Sequence, residues 1–299
     1  MAAARPIAVP TVTPGPQIAW LPDGRRLHMN HGPIDLIVEA WGEPGEVARA
    51  YGQAADRFRT ILAELAAELP ELRRPAGSIP RPFKGPTAWR MERAVSVFSA
   101  RFITPMAAVA GAVADEMLAA LVAGRDLRKA YVNDGGDIAL HLAPGESIRL
   151  AVAGTGHGFE DRLTIHYTSP VRGVATSGWR GRSFSLGIAD AVTVLGRDGA
   201  TADAAATLIA NAVDIPGHPA IARATASSLQ PDSDLGERLV TTGVGSLTPR
   251  EVEDALTCGM MEASDFFARG LIESAGLFLA GMSKIAGSAL PIDDNHLPD

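Results

Sequence analysis

The sequence predicts an α+β protein built on antiparallel strands, and three observations predict it. Period-two alternation starts near residue 128 and recurs in short runs up to about residue 195. The links between those runs are too short for crossover helices, so neighbouring strands must run antiparallel. Stretches with helical periodicity flank this block on both sides. A chain of 299 residues that is 46% hydrophobic has ample apolar surface for one large domain or two small ones.

Residues 1–24 are rich in Pro and Gly and read as an N-terminal arm, ordered in part by docking. Residues 25–290 read as one α+β domain, and 291–299 as a polar tail. Within the domain, residues 25–40 hold two extended runs around a His31-Gly-Pro turn. Residues 46–69 place Ala50, Ala54, Phe58, Ile61, Leu62 and Leu65 on one helical face, and Pro70 is expected to end that helix. A proline-rich loop covers 70–90. A second helical region follows at about 90–123, apolar on most faces from Met106 to Ala114 and so expected to be buried.

Strands are expected at Lys129–Val132, Asp137–Leu142, Ser147–Val152, Leu163–Tyr167, Val171–Thr176 and Ala191–Leu195. A helix over 201–213, with Thr201 as its N-cap, comes next. Two helices are expected to close the chain, the first opened by the Thr248-Pro-Arg-Glu251 capping box.

The net charge of -7 and the scattered basic residues argue against a nucleic-acid partner. No apolar run approaches the ~20 residues of a membrane span. The N-terminal prolines break any signal-peptide core, so a cytoplasmic location is expected. The single cysteine, Cys258, excludes an intramolecular disulfide and is expected to be a buried small hydrophobe. The histidines form no metal cluster: His28 and His31 point differently from their strand and turn, and His157 and His166 sit in separate segments. The glycine-rich Gly154-Thr-Gly-His-Gly158 does not open a helix and is no nucleotide fingerprint.

Four segments are candidates for chemistry, the fourth being the buried Met106–Asp115 stretch, which also reads as a packing helix with Asp115 capping or solvating its polar edge. In Thr201-Ala-Asp-Ala-Ala-Ala-Thr207, Asp203 and Thr207 lie four apart and project from one helix face, with only alanines between them. A carboxylate and a hydroxyl, completed by carbonyl or phosphate oxygens, suit a hard cation such as Mg²⁺. The same residues also suit a plain helix start, with Asp complementing the dipole and Thr bonding back to the helix. Asn133-Asp-Gly-Gly-Asp137 is a hairpin loop or a phosphate-binding loop. Ala175-Thr-Ser-Gly178 is a strand end or a set of hydroxyls and amides for a phosphate or ring carbonyl.

In order, Ala107-Ala-Val-Ala-Gly-Ala-Val-Ala-Asp115, Asn133-Asp-Gly-Gly-Asp137, Ala175-Thr-Ser-Gly178 and Ala202-Asp-Ala-Ala-Ala-Thr207 behind Val192-Thr-Val194 resemble the ApbE superfamily, whose best-known members are FAD:protein FMN transferases. The resemblance spans about residues 100–215. It implies a T-fold-like fold, possible duplication of a T-fold module, and antiparallel sheets with helices packed on one face. It implies Mg²⁺ held by Asp203, Thr207 and the Ala107 carbonyl. It also implies a flavin, FAD or FMN, held around Asn133, Gly135, Gly136, Asp137, Thr176, Ser177 and Gly178, with Arg180 and Arg182 following the strand end. Two family features are missing. Ala110 stands where the family has lysine, and Arg182-Ser-Phe-Ser-Leu-Gly-Ile-Ala-Asp190 replaces a His-x-x-Asp-Pro stretch. The chain looks like a divergent branch, similar to cytoplasmic relatives carrying a His-Gly-Pro-Ile-Asp segment, here His31 to Asp35.

Three functions stay open: a binder of a flavin or related phosphorylated or heteroaromatic ligand, a Mg²⁺-dependent flavin transferase or FAD pyrophosphatase, and an assembly protein without a working site. In the last, Met260-Met261, Phe266-Phe267 and Leu277-Phe-Leu would serve a homodimer interface. The expected partner is a small molecule; the resemblance names no acceptor protein for this chain.

Overall fold

A computed structural model describes residues 15–151 and 162–287; Gly154–Gly158 with His157, most of the N-terminal arm and the tail from Pro291 lie outside the described residues. In chain order the strands are β1 Gln17–Trp20, β2 Leu27–His31, β3 Ile34–Gly42, β4 Leu127–Asp134, β5 Asp137–Leu142, β6 Ser147–Ala151, β7 Arg162–His166, β8 Gly173–Ser177, β9 Ala191–Gly196, β10 Ile221–Thr225, β11 Leu239–Val244, β12 Ser274–Leu279 and β13 Met282–Gly287. The helices are α1 Pro44–Leu72, α2 Pro86–Ser96, α3 Val109–Val122, α4 Gly199–Ala212, α5 Ala226–Leu229 and α6 Pro249–Ala268. A 3-10 turn at Pro105–Ala108 leads into α3.

The fold is α+β, and its strands pair antiparallel. A nine-stranded sheet runs in the order β1-β2-β3-β4-β5-β8-β9-β12-β13. Helices α1, α3, α4 and α6 cover one face, and the main core lies between them and the sheet. The opposite face is covered at its centre by the β6–β7 hairpin, which forms its own two-stranded sheet. Beneath it Ile138, Leu140, Ile148, Leu163 and Leu195 make a smaller apolar layer. Strands β6 and β7, where the sequence placed two of its expected strands, therefore lie over the main sheet rather than in it. The strand-strand-helix order recurs, with β2-β3 then α1 and α3 then β4-β5, and β8-β9 then α4 and α6 then β12-β13.

Several expected elements differ, each for a local reason. Helix α1 runs through Pro70 to Leu72, because a proline in the last turn forfeits one helical bond without forcing an end. The expected 90–123 helix is two helices, broken at Phe98–Thr104 and restarted at Pro105. The second closing helix is instead the β12–β13 hairpin, turned at Ala280-Gly281. Strand β12 is buried on both faces, so its apolar run carries no alternation to distinguish it from a buried helix. Leu277, Phe278 and Leu279 thus lie in the interior and cannot form the homodimer patch. Cys258 is exposed, since the buried face of α6 is Val252, Ala255, Leu256, Gly259, Ala263 and Phe266, and Cys258 sits one residue off it. Strands β10 and β11 form a further small sheet that the sequence pattern did not announce. The Pro105–Val122 stretch is long and apolar enough to cross a membrane by composition alone, and here it packs against α1, α4, β4 and β5.

Helices α3 and α4 meet backbone to backbone at Gly111 and Gly199. A Cβ on Gly111 would overlap the Gly199 carbonyl, and one on Gly199 would come within 2.9 Å of the Gly111 carbonyl oxygen and 3.1 Å of Asp115 Oδ1. Overpacking a backbone crossing has little room to relax. Gly111→Ala is expected to lower unfolding free energy by about 3 kcal/mol, read from urea denaturation. Gly52→Ala, on the solvent face of α1 where a Cβ meets nothing, should instead gain about 1 kcal/mol.

Candidate functional site

The helix carrying Asp203 starts two residues earlier than its sequence suggested. Asp198, not Thr201, is the N-cap: its side chain accepts from Thr201 N at 2.7 Å. The two N–H groups before it are taken by a residue of α3. Asp115 accepts from Gly199 N at 2.9 Å and from Ala200 N at 2.8 Å. Three of the four orphan donors of α4 are thus satisfied by side chains.

The exchange is mutual. The N-cap position of α3, Ala108, has no capping side chain, and Asp203 supplies one from α4 by accepting from Gly111 N at 3.1 Å, with the Ala110 N–H beside it. Asp203 does complement a helix N-terminus, but that of α3 rather than its own. The two segments are near copies, Gly111-Ala-Val-Ala-Asp115 and Gly199-Ala-Thr-Ala-Asp203. In each, the glycine makes the crossing and the aspartate four residues on caps the other helix.

The crossing aims Asp203 at the hairpin between β4 and β5. That turn is Asp134-Gly-Gly-Asp137, with both glycines at positive φ as a tight two-residue hairpin requires. Asn133 Oδ1 accepts from Gly136 N at 2.8 Å and so shapes the turn. Asp137 Oδ1 accepts from Thr176 N at 3.1 Å, joining the turn to the end of β8, where Thr176 and Thr193 share a hydroxyl bond at 2.9 Å. Gly178 ends the strand against the Asp190 carbonyl, an approach that a Cβ would block.

Burial is the first cause that holds these carboxyls towards the protonated form. It pushes Asp134 up to about 7, against the Asp35 N–H and Arg182, which pull it down. Burial also raises Asp137, and the Asp134 charge adds to it. Asp203 is raised well above the ordinary carboxyl value, by burial first and then by Asp137. The residue as a whole is half-buried, while its carboxyl is desolvated beneath the β4–β5 turn. The Ala110 N–H lies beside it, and half-buried Thr207 stands one turn further along α4; Ala107 belongs to the 3-10 turn that leads into α3. The Thr207 hydroxyl makes no hydrogen bond with a described residue. The rim extends to the His31–Asp35 segment: Asp35 N approaches Asp134 Oδ1 at 3.4 Å, and the Asp35 carboxylate meets His28 Nε2 at 2.5 Å.

The two arginines part company. Arg180 pairs with Asp190 at 2.8 Å and stacks on Trp179 at 4.6 Å. The guanidinium of Arg182 lies against Gly135 and faces Asp134 and Asp137. The structure therefore brings Asp137, Thr176, Gly135, Arg182 and Asp203 together, with Asn133 and Gly136 shaping the turn, and commits Arg180 elsewhere. Asp134 and Asp35 were not among the expected site residues. Asp134 lay inside the quoted loop, and the Gly-Ala-x-Ala-Asp pair was the signal for the capping partnership. Among the described residues no three His, Cys, Asp or Glu side chains are grouped to hold a metal ion by themselves. The oxygen donors present, one carboxylate, one free hydroxyl and a 3-10-turn carbonyl, fit a hard cation that also draws on ligand oxygens. Two cavities of roughly 300 Å³ lie elsewhere, one beside β7 and β12 and one beside the end of α1.

A helix-covered antiparallel sheet with a cluster of buried acids between the β4–β5 turn and the α3–α4 crossing defines the class, an α+β protein. Residues 18–285 match the model of the ApbE-related family described as "AbpE bacteria", and the chain belongs to that family. It is similar to the UPF0280 protein of Methanothrix thermoacetophila, 39% identical over 188 residues, which is 61% of this chain and 75% of the relative. It is 32% identical to that of Methanoregula boonei over 52% of this chain and 66% of the relative. With that of Methanothermobacter thermautotrophicus it shares 37% identity over 115 residues, less than half of the relative's length.

Each raised carboxyl binds its proton more tightly folded than unfolded. The stability it contributes is present below its unfolded pKa of about 4 and is lost as pH rises through its folded value. For Asp134 that window closes at about 7. Asp134→Asn should lose less unfolding free energy than the parent between about pH 5 and about pH 8, the difference approaching about 1.4 kcal/mol per pH unit for one proton. Urea titrations at the two pH values check this, and parallel losses in both proteins would contradict it.

Proposed function

We propose that the chain binds a flavin, or a related phosphorylated or heteroaromatic ligand, in the cleft between the β4–β5 turn and the α3–α4 crossing, with a divalent cation at its floor. One observation carries the reading. Asp203 is desolvated and faces two further buried carboxylates, a field that stabilises a cation and that no described lysine or histidine neutralises. Asp203, the Thr207 hydroxyl and the Ala107 carbonyl would hold the cation. When bound, it would act as a Lewis acid towards phosphate oxygens. Asp137 holds the β8 end in place through Thr176 N, and the Gly135-Gly136 turn leaves room for a close approach. Membership of the ApbE-related family supports the flavin. Two strand pairs flanking helices, β2-β3 and β4-β5 around α1–α3 and β8-β9 and β12-β13 around α4 and α6 with β10-α5-β11 inserted, support the T-fold reading. Flavin transfer or FAD cleavage is the further step. Ala110, where the resemblance expects lysine, removes a positive charge that phosphoryl transfer would use.

A thermal-shift panel of FAD, FMN, nucleotides and pterins, with and without Mg²⁺, tests the reading. A ligand at a hundred times its Kd should add about 2.7 kcal/mol of stability. The shift should grow with Mg²⁺ and shrink in Asp203→Asn. AMP released from FAD would establish cleavage as well as binding. A flat panel under every metal condition would sink the proposal and leave an assembly role.

A further inference from the structure

We propose that Arg182 is the residue of this cleft that grips the anionic group of its ligand, a phosphate or diphosphate; the assignment rests on the binding reading above. Three observations converge on this side chain. It makes no hydrogen bond and no ion pair with a described residue, whereas Arg180, Arg223 and Arg172 are committed to Asp190, to Asp214 with the Leu186 carbonyl, and to the Tyr167 and Ser169 carbonyls. Its guanidinium lies directly over Gly135, where a Cβ would overlap it, so the arginine head sits at the β4–β5 turn. It also lies close enough to Asp134 and Asp137 to favour their charged forms, yet pairs with neither.

The loop that carries it is fixed at its neck. Trp179 N donates to the Ala189 carbonyl at 3.0 Å, Ile188 N to the Val213 carbonyl at 2.8 Å, and Arg180 pairs with Asp190 across the base. Gly181, Arg182 and Ser183 form the exposed tip. A cation held over the cleft by an anchored loop, with all five donors free, matches the planar two-point recognition of a phosphate. It also stands where it can supply part of the positive charge that Ala110 lacks.

Calorimetric titration of the full chain with inorganic pyrophosphate in the presence of Mg²⁺ tests the assignment. Arg182→Ala should weaken binding by about tenfold or more. Arg182→Lys should recover only part, because a point charge lacks the fork. Arg59→Ala, which removes the same charge from the exposed face of α1, should stay within about twofold of the parent. Parent-like affinity in Arg182→Ala, or no pyrophosphate binding by the parent, overturns the assignment. The flavin panel is read on the same preparation: a Mg²⁺-dependent flavin shift that survives in Arg182→Ala overturns this inference alone, and a flat panel overturns the function with it.

Discussion

The α3–α4 crossing is the contact on which the rest depends. Two glycines let the helix backbones touch, and that proximity lets an aspartate from each helix reach the N-terminal amides of the other. A buried helix end without partners is costly, since each unsatisfied amide loses its water. Here each helix completes its neighbour, so neither end can be buried well alone. The 3-10 turn carrying Ala107 precedes α3, and α4 packs on β8 and β9. The crossing therefore sets the distance between segments almost a hundred residues apart in sequence. Everything gathered at the cleft is gathered by that contact.

The same contact places Asp203 under opposing demands. The α3 amides favour its charged form, as a helix N-terminus does. Burial and the facing Asp137 and Asp134 favour the neutral one, and they prevail in the protein alone. A carboxyl held in this balance needs one more positive charge nearby to become a stable anion. Asp115 has a gentler setting. Burial and the Asp198 charge raise it to about 6, while the Gly199 and Ala200 amides and Arg90 pull the other way. Two copies of one capping device thus end in different electrostatic surroundings: Asp115 faces one carboxylate offset by Arg90, and Asp203 faces two.

How much of this was legible in the sequence follows from how local each signal is. Strands β4, β6 and β7 alternate between buried and more exposed positions, β5 and β9 are almost wholly buried and were marked by the turn residues that bound them, and the α6 capping box is present as written. β12 was hidden because burial on both faces removes alternation. The break between α2 and α3 was legible in part, since Ser99, Arg101 and Thr104 interrupt the apolar run and Pro105 restarts it. At the site, the Gly-Gly turn and the strand end stood out by composition, since only special residues serve there. That Asp203 caps α3, and that Arg182 faces the turn while Arg180 does not, are tertiary facts with no local spacing to betray them.

The paired Gly-Ala-x-Ala-Asp segments show what a sequence pattern can and cannot say. Equal motifs gave equal geometry: glycine at the contact, aspartate on the partner's amides. They did not give equal roles, because a motif encodes its own helix and not what that helix faces. Asp115 faces Asp198 and Arg90, a mixed pair of charges that leaves it a structural cap. Asp203 faces Asp137 and Asp134, and the cation that acts on those two sits on a loop tip, Arg182. The crowding of buried carboxyls on that side, rather than the helix motif, is what separates Asp203 from Asp115, and it is the feature on which the proposed cation and anionic ligand rest.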